Sequence, residues 1–119
     1  MVNQERRKTH RIPFVASAEI TEDSSRVSIG ARVTDISRNG CYIDLRSPMP
    51  EGTSVRIRIM TATGFFEADA TVGYRHPHLG MGLIFRNVSS ESGEVLQKWM
   101  TLAAQDVAPP DRIAEQSQE

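Results

Sequence analysis

This sequence of 119 residues has one cysteine, almost no net charge and no long apolar run. Its only cysteine is Cys41, which excludes an internal disulfide and a zinc site built from several cysteines. No apolar run approaches the length of a membrane-spanning helix, and the first residues lack the apolar stretch of a signal peptide. We therefore expect a cytoplasmic protein that does not insert into a membrane.

Charge is nearly balanced over the whole chain but uneven along it. The formal net charge is -1, which gives no general attraction to nucleic acid polymers or acidic membranes. Basic residues gather near the start, at Arg6, Arg7, Lys8 and Arg11, and acidic residues prevail at the other end. We expect no binding to a nucleic acid polymer, although the basic segment itself suits a small anion.

Signs of catalysis are also missing. The sequence has no glycine-rich phosphate loop, no Ser/His/Asp arrangement and no metal-binding helix. His76 and His78 flank Pro77, but no third ligand lies in an obvious motif with them, so we interpret residues 76–78 as a loop rather than a metal site. We predict that the protein is not an enzyme and that it holds no metal or cofactor.

Residues 14–85 contain short apolar stretches separated by Gly, Pro, Ser and Asp, which is typical of an all-β sandwich or barrel. The clearest alternation has Val55, Ile57 and Ile59 on one face and polar residues on the other. A second alternating stretch begins after a short turn, so the two strands should pair antiparallel. The six predicted strands cover residues 14–20, 27–34, 41–45, 55–59, 66–72 and 81–85. Six strands are enough for a small barrel.

The pattern becomes helical after Ser89 and Ser90, which are favourable N-cap residues with Glu91 in the first turn. Apolar residues then recur at three- and four-residue spacing, which predicts an amphipathic helix that covers one end of the barrel. We expect three parts: a basic arm over residues 1–12, a barrel with its helix over residues 13–103, and a disordered or weakly docked tail over residues 104–119.

Two short polar segments carry most of the functional information. Arg7 and Arg11 lie four residues apart, and Asp35, Ser37 and Gly40 form an Asp-x-Ser-x-x-Gly turn between two predicted strands. A guanidinium presents fixed N–H donors in a planar fork that matches phosphate or the O6/N7 edge of guanine. A carboxylate can accept from the other edge of guanine, a serine hydroxyl can donate or accept, and a glycine lets backbone approach closely. Together the segments indicate a site for a small anion that carries a purine.

At these residues the sequence resembles the PilZ domain family, bacterial receptors for the second messenger cyclic di-GMP. The two motifs of that family, Arg-x-x-x-Arg and Asp/Asn-x-Ser-x-x-Gly, are matched by Arg7 with Arg11 and by Asp35, Ser37 and Gly40. A looser family feature, a late Gly-x-Gly-aliphatic-x-Phe strand, occurs at residues 80–85, and the resemblance covers about residues 5–103. It implies a six-stranded antiparallel split barrel with one C-terminal helix and flexible termini.

The resemblance also implies a function. Cyclic di-GMP would be the ligand of a stand-alone receptor or adaptor that acts on an unidentified effector protein through a ligand-dependent interaction. The five motif residues would bind the ligand, with Arg6, Arg38 and Asn39 as secondary contacts. In that arrangement the basic arm orders itself over a ligand that sits on the rigid barrel.

Two other functions fit parts of the sequence. One is a PilZ-like adaptor that has lost nucleotide binding, but this predicts decay of the motif residues, and they are intact. The other is a small barrel that binds nucleic acid through the basic arm. That function needs aromatic stacking residues near the arginines and a more positive charge, and the sequence shows neither.

Overall fold

A computed structural model describes residues 11–107 of the chain, with side chains up to residue 103. It contains six strands and one helix in the order that the sequence predicts. The strands are β1 Ile12–Glu22, β2 Ser28–Ile36, β3 Gly40–Asp44, β4 Ser54–Met60, β5 Phe65–His76 and β6 Gly80–Val88, and the helix is α1 Ser90–Val107.

The strands form a closed antiparallel barrel in the order β1-β2-β3-β6-β5-β4, in which β1 and β4 pair to complete the ring. The fold prediction is therefore confirmed. Helix α1 continues to Val107, past the expected limit at Ala103, and the remainder of the predicted tail lies outside the described residues. The interpretation of residues 76–78 as a loop is wrong at His76, because that residue still pairs with Gly80 as the last residue of β5.

The interior of the barrel is filled by the alternating side chains of every strand. On β4, Val55, Ile57 and Ile59 are fully buried while the residues between them are not, as the period of two predicts. Cys41 is buried too, so it serves as a small core residue. A fully buried aliphatic side chain contributes about 1.5–3 kcal/mol relative to an exposed one, so this interior dominates the stability of the fold.

Helix α1 packs against β1 and β5 and closes one end of the barrel. Trp99 lies 5.1 Å from the ring centre of Phe14 and 6.3 Å from that of Phe66. The helix starts where the sequence predicts, because the Ser89 hydroxyl accepts a hydrogen bond from the Ser92 amide at 3.1 Å. Among the described residues, no helix is long and apolar enough to span a membrane.

The outer face of β1, β4 and β5 carries a ladder of ion pairs. Arg58 lies 3.4 Å from both Glu19 and Glu67, and Arg56 joins Glu67 at 3.5 Å to Asp69 at 2.8 Å. The Arg56 hydrogen bond holds the pKa of Asp69 below its ordinary value. The charged side chains of this face are therefore largely paired with one another. The rest of the barrel wall is formed by β2, β3, β6 and the other end of β5.

Candidate functional site

The Asp-x-Ser-x-x-Gly segment is a tight turn that joins β2 to β3, and Ser37 holds it together. The Ser37 amide donates to the Gly40 carbonyl at 2.8 Å. Its hydroxyl accepts from the amides of Asn39 and Gly40 at 3.2 and 3.1 Å and can donate to the Gly40 carbonyl. Ser37 is only 5% exposed. Its hydroxyl is therefore engaged within the turn, where it fixes the backbone.

Gly40 is required by close packing against β6. A Cβ at this position would collide with the carbonyl oxygen of Leu83, because β3 begins here and pairs directly with β6. The Phe85 amide also donates to the Asn39 carbonyl at 2.8 Å, which ties the turn to the same strand. The glycine thus brings the turn onto the barrel wall.

Arg11, immediately before β1, reaches over this wall. Its Nη1 atom lies 3.6 Å from Oδ1 of Asp35, and its Nη2 atom donates to the hydroxyl of Tyr74 on β5. The guanidinium carbon also lies 5.7 Å from the Tyr74 ring centre, which adds a cation–π contact. With 46% of its side chain exposed, Arg11 is held in place and still has donors directed to solvent.

Asp35 occupies an electrostatically unfavourable position. Partial burial raises the pKa of its carboxyl above the ordinary value, and the positive charge of Arg11 offsets only part of that effect. Its Oδ1 atom is buried and has no hydrogen-bond partner among the described residues. Burial also acts to lower the pKa of Arg11, but the Tyr74 hydrogen bond and the Asp35 charge outweigh it, so Arg11 stays charged. An acceptor left in this state suits a ligand that brings N–H donors.

A cavity of about 220 Å³ lies between Arg11 and the turn. Its lining combines one cation, the polar turn and the backbone of β6, and consists of Arg11, Ser37, Asn39, Gly40, Cys41, Tyr74, Gly82, Leu83 and Ile84. Positive charge, backbone polar groups and an aromatic ring together suit a planar, anionic molecule. Asp35 does not line the cavity. It lies beside it and forms an ion pair with Arg11, which does line it.

The structure brings most of the predicted residues together. Arg11, Asp35, Ser37 and Gly40 surround one location, and Asn39 joins them in the cavity lining. Arg38 does not, since it lines a separate cleft beside helix α1. The predicted contacts Arg6 and Arg7 lie outside the described residues.

The expectation that the arginines have no aromatic neighbour is wrong, because Tyr74 contacts Arg11 directly. Regular alternation from Val72 would place Tyr74 inside the barrel. One extra residue, Gly73, shifts the register between β5 and β6 and turns Tyr74 outward, opposite Gly82. Gly73, one residue past the predicted strand of residues 66–72, was the available signal for this bulge.

A bulge also sets the direction of the Asp35 side chain. Val33 on β2 is fully buried, so alternation alone would send Asp35 into the core as well. An extra residue at Thr34 shifts the register between β2 and β3, which turns Asp35 outward opposite Tyr42. Two bulges therefore aim Asp35 and Tyr74 at the same surface.

The described residues thus form a closed six-stranded barrel with a cavity beside Arg11 on its outer wall. The sequence model of the PilZ domain matches residues 5–102, and the chain belongs to the PilZ domain family, which binds cyclic di-GMP. No curated protein sequence matches the chain.

Solved structures share this fold. The PilZ domain of YcgR from Escherichia coli, with cyclic di-GMP, is 19% identical with a TM-score of 0.70, over 90% of this chain and 98% of that one. The PilZ domain of CeSA from a cellulose-synthesizing bacterium is 18% identical with a TM-score of 0.62, over 79% and 98%. YcgR in complex with cyclic di-GMP is 23% identical with a TM-score of 0.71, over 91% and 50%. At these identities the likeness concerns the fold.

Proposed function

We propose that this chain binds cyclic di-GMP on the barrel wall beside Arg11 and acts as a receptor for an effector protein. The observation that carries the proposal is the placement of Arg11, which is fixed by Asp35 and Tyr74 over a cavity whose floor is the Ser37–Gly40 turn. Family membership and the cyclic di-GMP complex of YcgR support the choice of ligand. The cytoplasmic location remains a prediction from the sequence.

Each residue has a distinct part in the proposed complex. The exposed donors of Arg11 bind a phosphate or the O6/N7 edge of a guanine, through charge-assisted hydrogen bonds of about 1.5–3 kcal/mol each. Asp35 accepts from the N–H groups on the other edge of guanine through the exposed part of its carboxylate, since 28% of its side chain is exposed. Ser37 and Gly40 act indirectly, because they hold the turn against β6.

Arg7 would complete the phosphate site, with Arg6 and Asn39 as secondary contacts. Arg7 precedes Arg11 by four residues, so the basic segment can bring more than one guanidinium to a doubly anionic ligand. Ordering that segment costs about 1–2 kcal/mol per residue of fixed backbone, which several simultaneous ionic hydrogen bonds offset. Arg38 is a weaker candidate because it lines another cleft.

Signalling would follow from the difference between the free and bound forms. An effector responds only if it binds one of the two forms better than the other. Arg11 and helix α1 both lie near the start of β1, because Phe14, three residues after Arg11, packs on Trp99. These two elements are where we expect the effector to distinguish the forms. PilZ domains are typically receptor or adaptor domains rather than enzymes, and we propose the same for this chain.

Calorimetric titration of the purified protein with cyclic di-GMP tests the proposal, with cyclic di-AMP and GTP as controls. We expect selective binding near or below the micromolar range, and the stoichiometry will show whether one or two cyclic di-GMP molecules bind per chain. Absence of heat at high ligand concentration would contradict the proposal and favour the adaptor that does not bind nucleotide. If the protein instead binds random oligonucleotides, with an affinity that falls steeply as the salt concentration rises, the nucleic-acid-binding barrel is favoured.

A further inference from the structure

Three aromatic side chains form a continuous patch beside the Arg11 cavity. Tyr42 comes from β3, and Tyr74 and His76 come from β5. Between these strands, β6 contributes only glycines: Gly82 pairs with Tyr42 on one side and Tyr74 on the other, and Gly80 pairs with His76. We call Tyr42, Tyr74 and His76 the aromatic face.

The rings of the aromatic face lie close together over the backbone of β6. Their centres are 6.1 Å apart for Tyr42 and Tyr74, 5.8 Å for Tyr42 and His76, and 5.5 Å for Tyr74 and His76. A Cβ on Gly82 would collide with the Tyr74 ring, and one on Gly80 would meet the Tyr42 ring at 2.7 Å. The two tyrosines thus cover the glycines of β6. Their ring planes are inclined by 31° to each other, and the His76 ring is inclined by 36° to Tyr42 and by 60° to Tyr74.

A hydrogen bond of 2.9 Å joins the Tyr42 hydroxyl to Nδ1 of His76 and links the two rings across β6. Preorganised rings lose little conformational entropy when a flat molecule stacks on them. The need to cover the glycines of β6 explains the positions of Tyr42 and Tyr74. It does not account for His76, which is exposed and extends the patch away from the cavity.

Tyr74 belongs both to the aromatic face and to the lining of the cavity, and its hydroxyl accepts a hydrogen bond from Arg11. The cavity, at about 220 Å³, is smaller than the ~300–1,000 Å³ of typical ligand pockets. A dinucleotide anchored at Arg11 therefore has to extend over the neighbouring wall. The aromatic face is the part of that wall with π surfaces, and a purine base is the part of the ligand that stacks on them.

We propose that the aromatic face is a stacking platform for one purine base of the dinucleotide whose phosphate or other base is held at Arg11. This inference rests on the proposed function. It assigns binding to Tyr42 and His76, which belong to neither polar motif in the sequence, and it makes Tyr74 the residue that joins the two parts of the site.

The affinity of matched variants for cyclic di-GMP tests the platform. The variants are His76→Ala, Tyr42→Leu, which removes the ring, and Tyr42→Phe, which keeps the ring and removes the hydroxyl. Phe65→Leu is the control, since Phe65 is also an exposed aromatic residue of β5 but packs under Arg58 at the other end of the strand. For cyclic di-GMP we expect about a tenfold loss of affinity in His76→Ala and Tyr42→Leu, a smaller loss in Tyr42→Phe and none in Phe65→Leu.

A spectroscopic signal provides a second readout in the unaltered protein. A base stacked on the platform should shift the His76 ring protons through its ring current, and the shift should follow cyclic di-GMP saturation. If the unaltered protein binds while His76→Ala binds equally well and the ring protons do not move, the platform is wrong and the proposed function stands. If neither the unaltered protein nor Arg11→Ala binds, the proposed function is wrong and the platform falls with it.

Discussion

The guanidinium of Arg11 donates a hydrogen bond to the hydroxyl of Tyr74, although 63 positions separate the two residues in the chain. In the closed ring, β2, β3 and β6 separate β1 from β5 on one side and β4 separates them on the other, and the same guanidinium is paired with Asp35 on β2. One side chain therefore connects β2 with β5, and the contacts that hold it can be separated experimentally.

Replacing Arg11 removes the charge at the centre of the site. We expect Arg11→Ala to weaken cyclic di-GMP binding at least about tenfold, or 1.4 kcal/mol, and Arg11→Lys to restore only part of the loss because an ammonium lacks the planar fork. The free energy of unfolding should change little, because Arg11 is half exposed and such ion pairs contribute weakly. Calorimetry and urea denaturation measure the two quantities, and unchanged affinity in Arg11→Ala would exclude Arg11 from the site.

Tyr74→Phe removes only the hydroxyl that holds Arg11. We expect a loss of affinity of a few fold, with less additional loss when the change is combined with Arg11→Ala, because the hydroxyl acts through the guanidinium. A double-mutant cycle on cyclic di-GMP affinity measures this coupling. Losses that simply add would show that Tyr74 and Arg11 contribute independently.

Asp35→Ala tests base recognition. Removing the carboxylate should lower the preference for cyclic di-GMP over cyclic di-AMP, because Asp35 accepts from N–H groups on guanine that adenine does not present in the same places. The affinity ratio of the two ligands in each protein is the quantity to compare. An equal loss for both ligands would rule out recognition of guanine by Asp35.

The raised pKa of Asp35 makes a prediction about stability that needs no ligand. Between the ordinary carboxyl pKa of about 4 and the higher value in the folded protein, the folded state binds more protons than the unfolded state. The contribution of Asp35 to the free energy of unfolding therefore falls as the pH rises through that window. We expect Asp35→Asn to gain stability relative to the natural protein over this range and to level off above it, as measured by urea denaturation at several pH values. A relative loss with rising pH would contradict the burial argument.

Gly40→Ala should destabilise the barrel by about 1–3 kcal/mol or more, since the added methyl group collides with the Leu83 carbonyl and the backbone has to move. The matched control is Gly30→Ala on β2, where no atom lies within 4 Å of the added Cβ. There we expect little change or a slight gain, because alanine restricts the unfolded chain. Thermal unfolding of both variants measures the difference, and equal stability would mean that the turn can move away from β6.

The regular parts of this fold were predictable because each strand buries every second residue in one interior. Val55, Ile57 and Ile59 illustrate this, and Ser89 marked the start of the helix. The proximity of four candidate residues was predictable from the two polar motifs, since Arg11, Asp35, Ser37 and Gly40 do meet in one place. That they bind a ligand stays a prediction.

Whether the side chains of Asp35 and Tyr74 point into or out of the barrel was harder to predict, because single-residue bulges decide it. Alternation from Val33 and Val72 would bury Asp35 and Tyr74, and the extra residues Thr34 and Gly73 reverse both. A bulge depends on which residue of the partner strand comes opposite, and the sequence of one strand does not contain that information. The contact between Arg11 and Tyr74 went unpredicted for this reason.

Closure of the ring limits how an effector protein could dock on the barrel. Within the described part of the chain, each of the six strands has a partner on both sides, and unpaired backbone remains only where a strand extends past its partner, as residues 28–31 of β2 do beyond β3. An effector of the proposed kind would therefore meet mainly side chains, on the outer wall or on helix α1. Capture of an extended peptide by β-augmentation is limited to those short unpaired stretches.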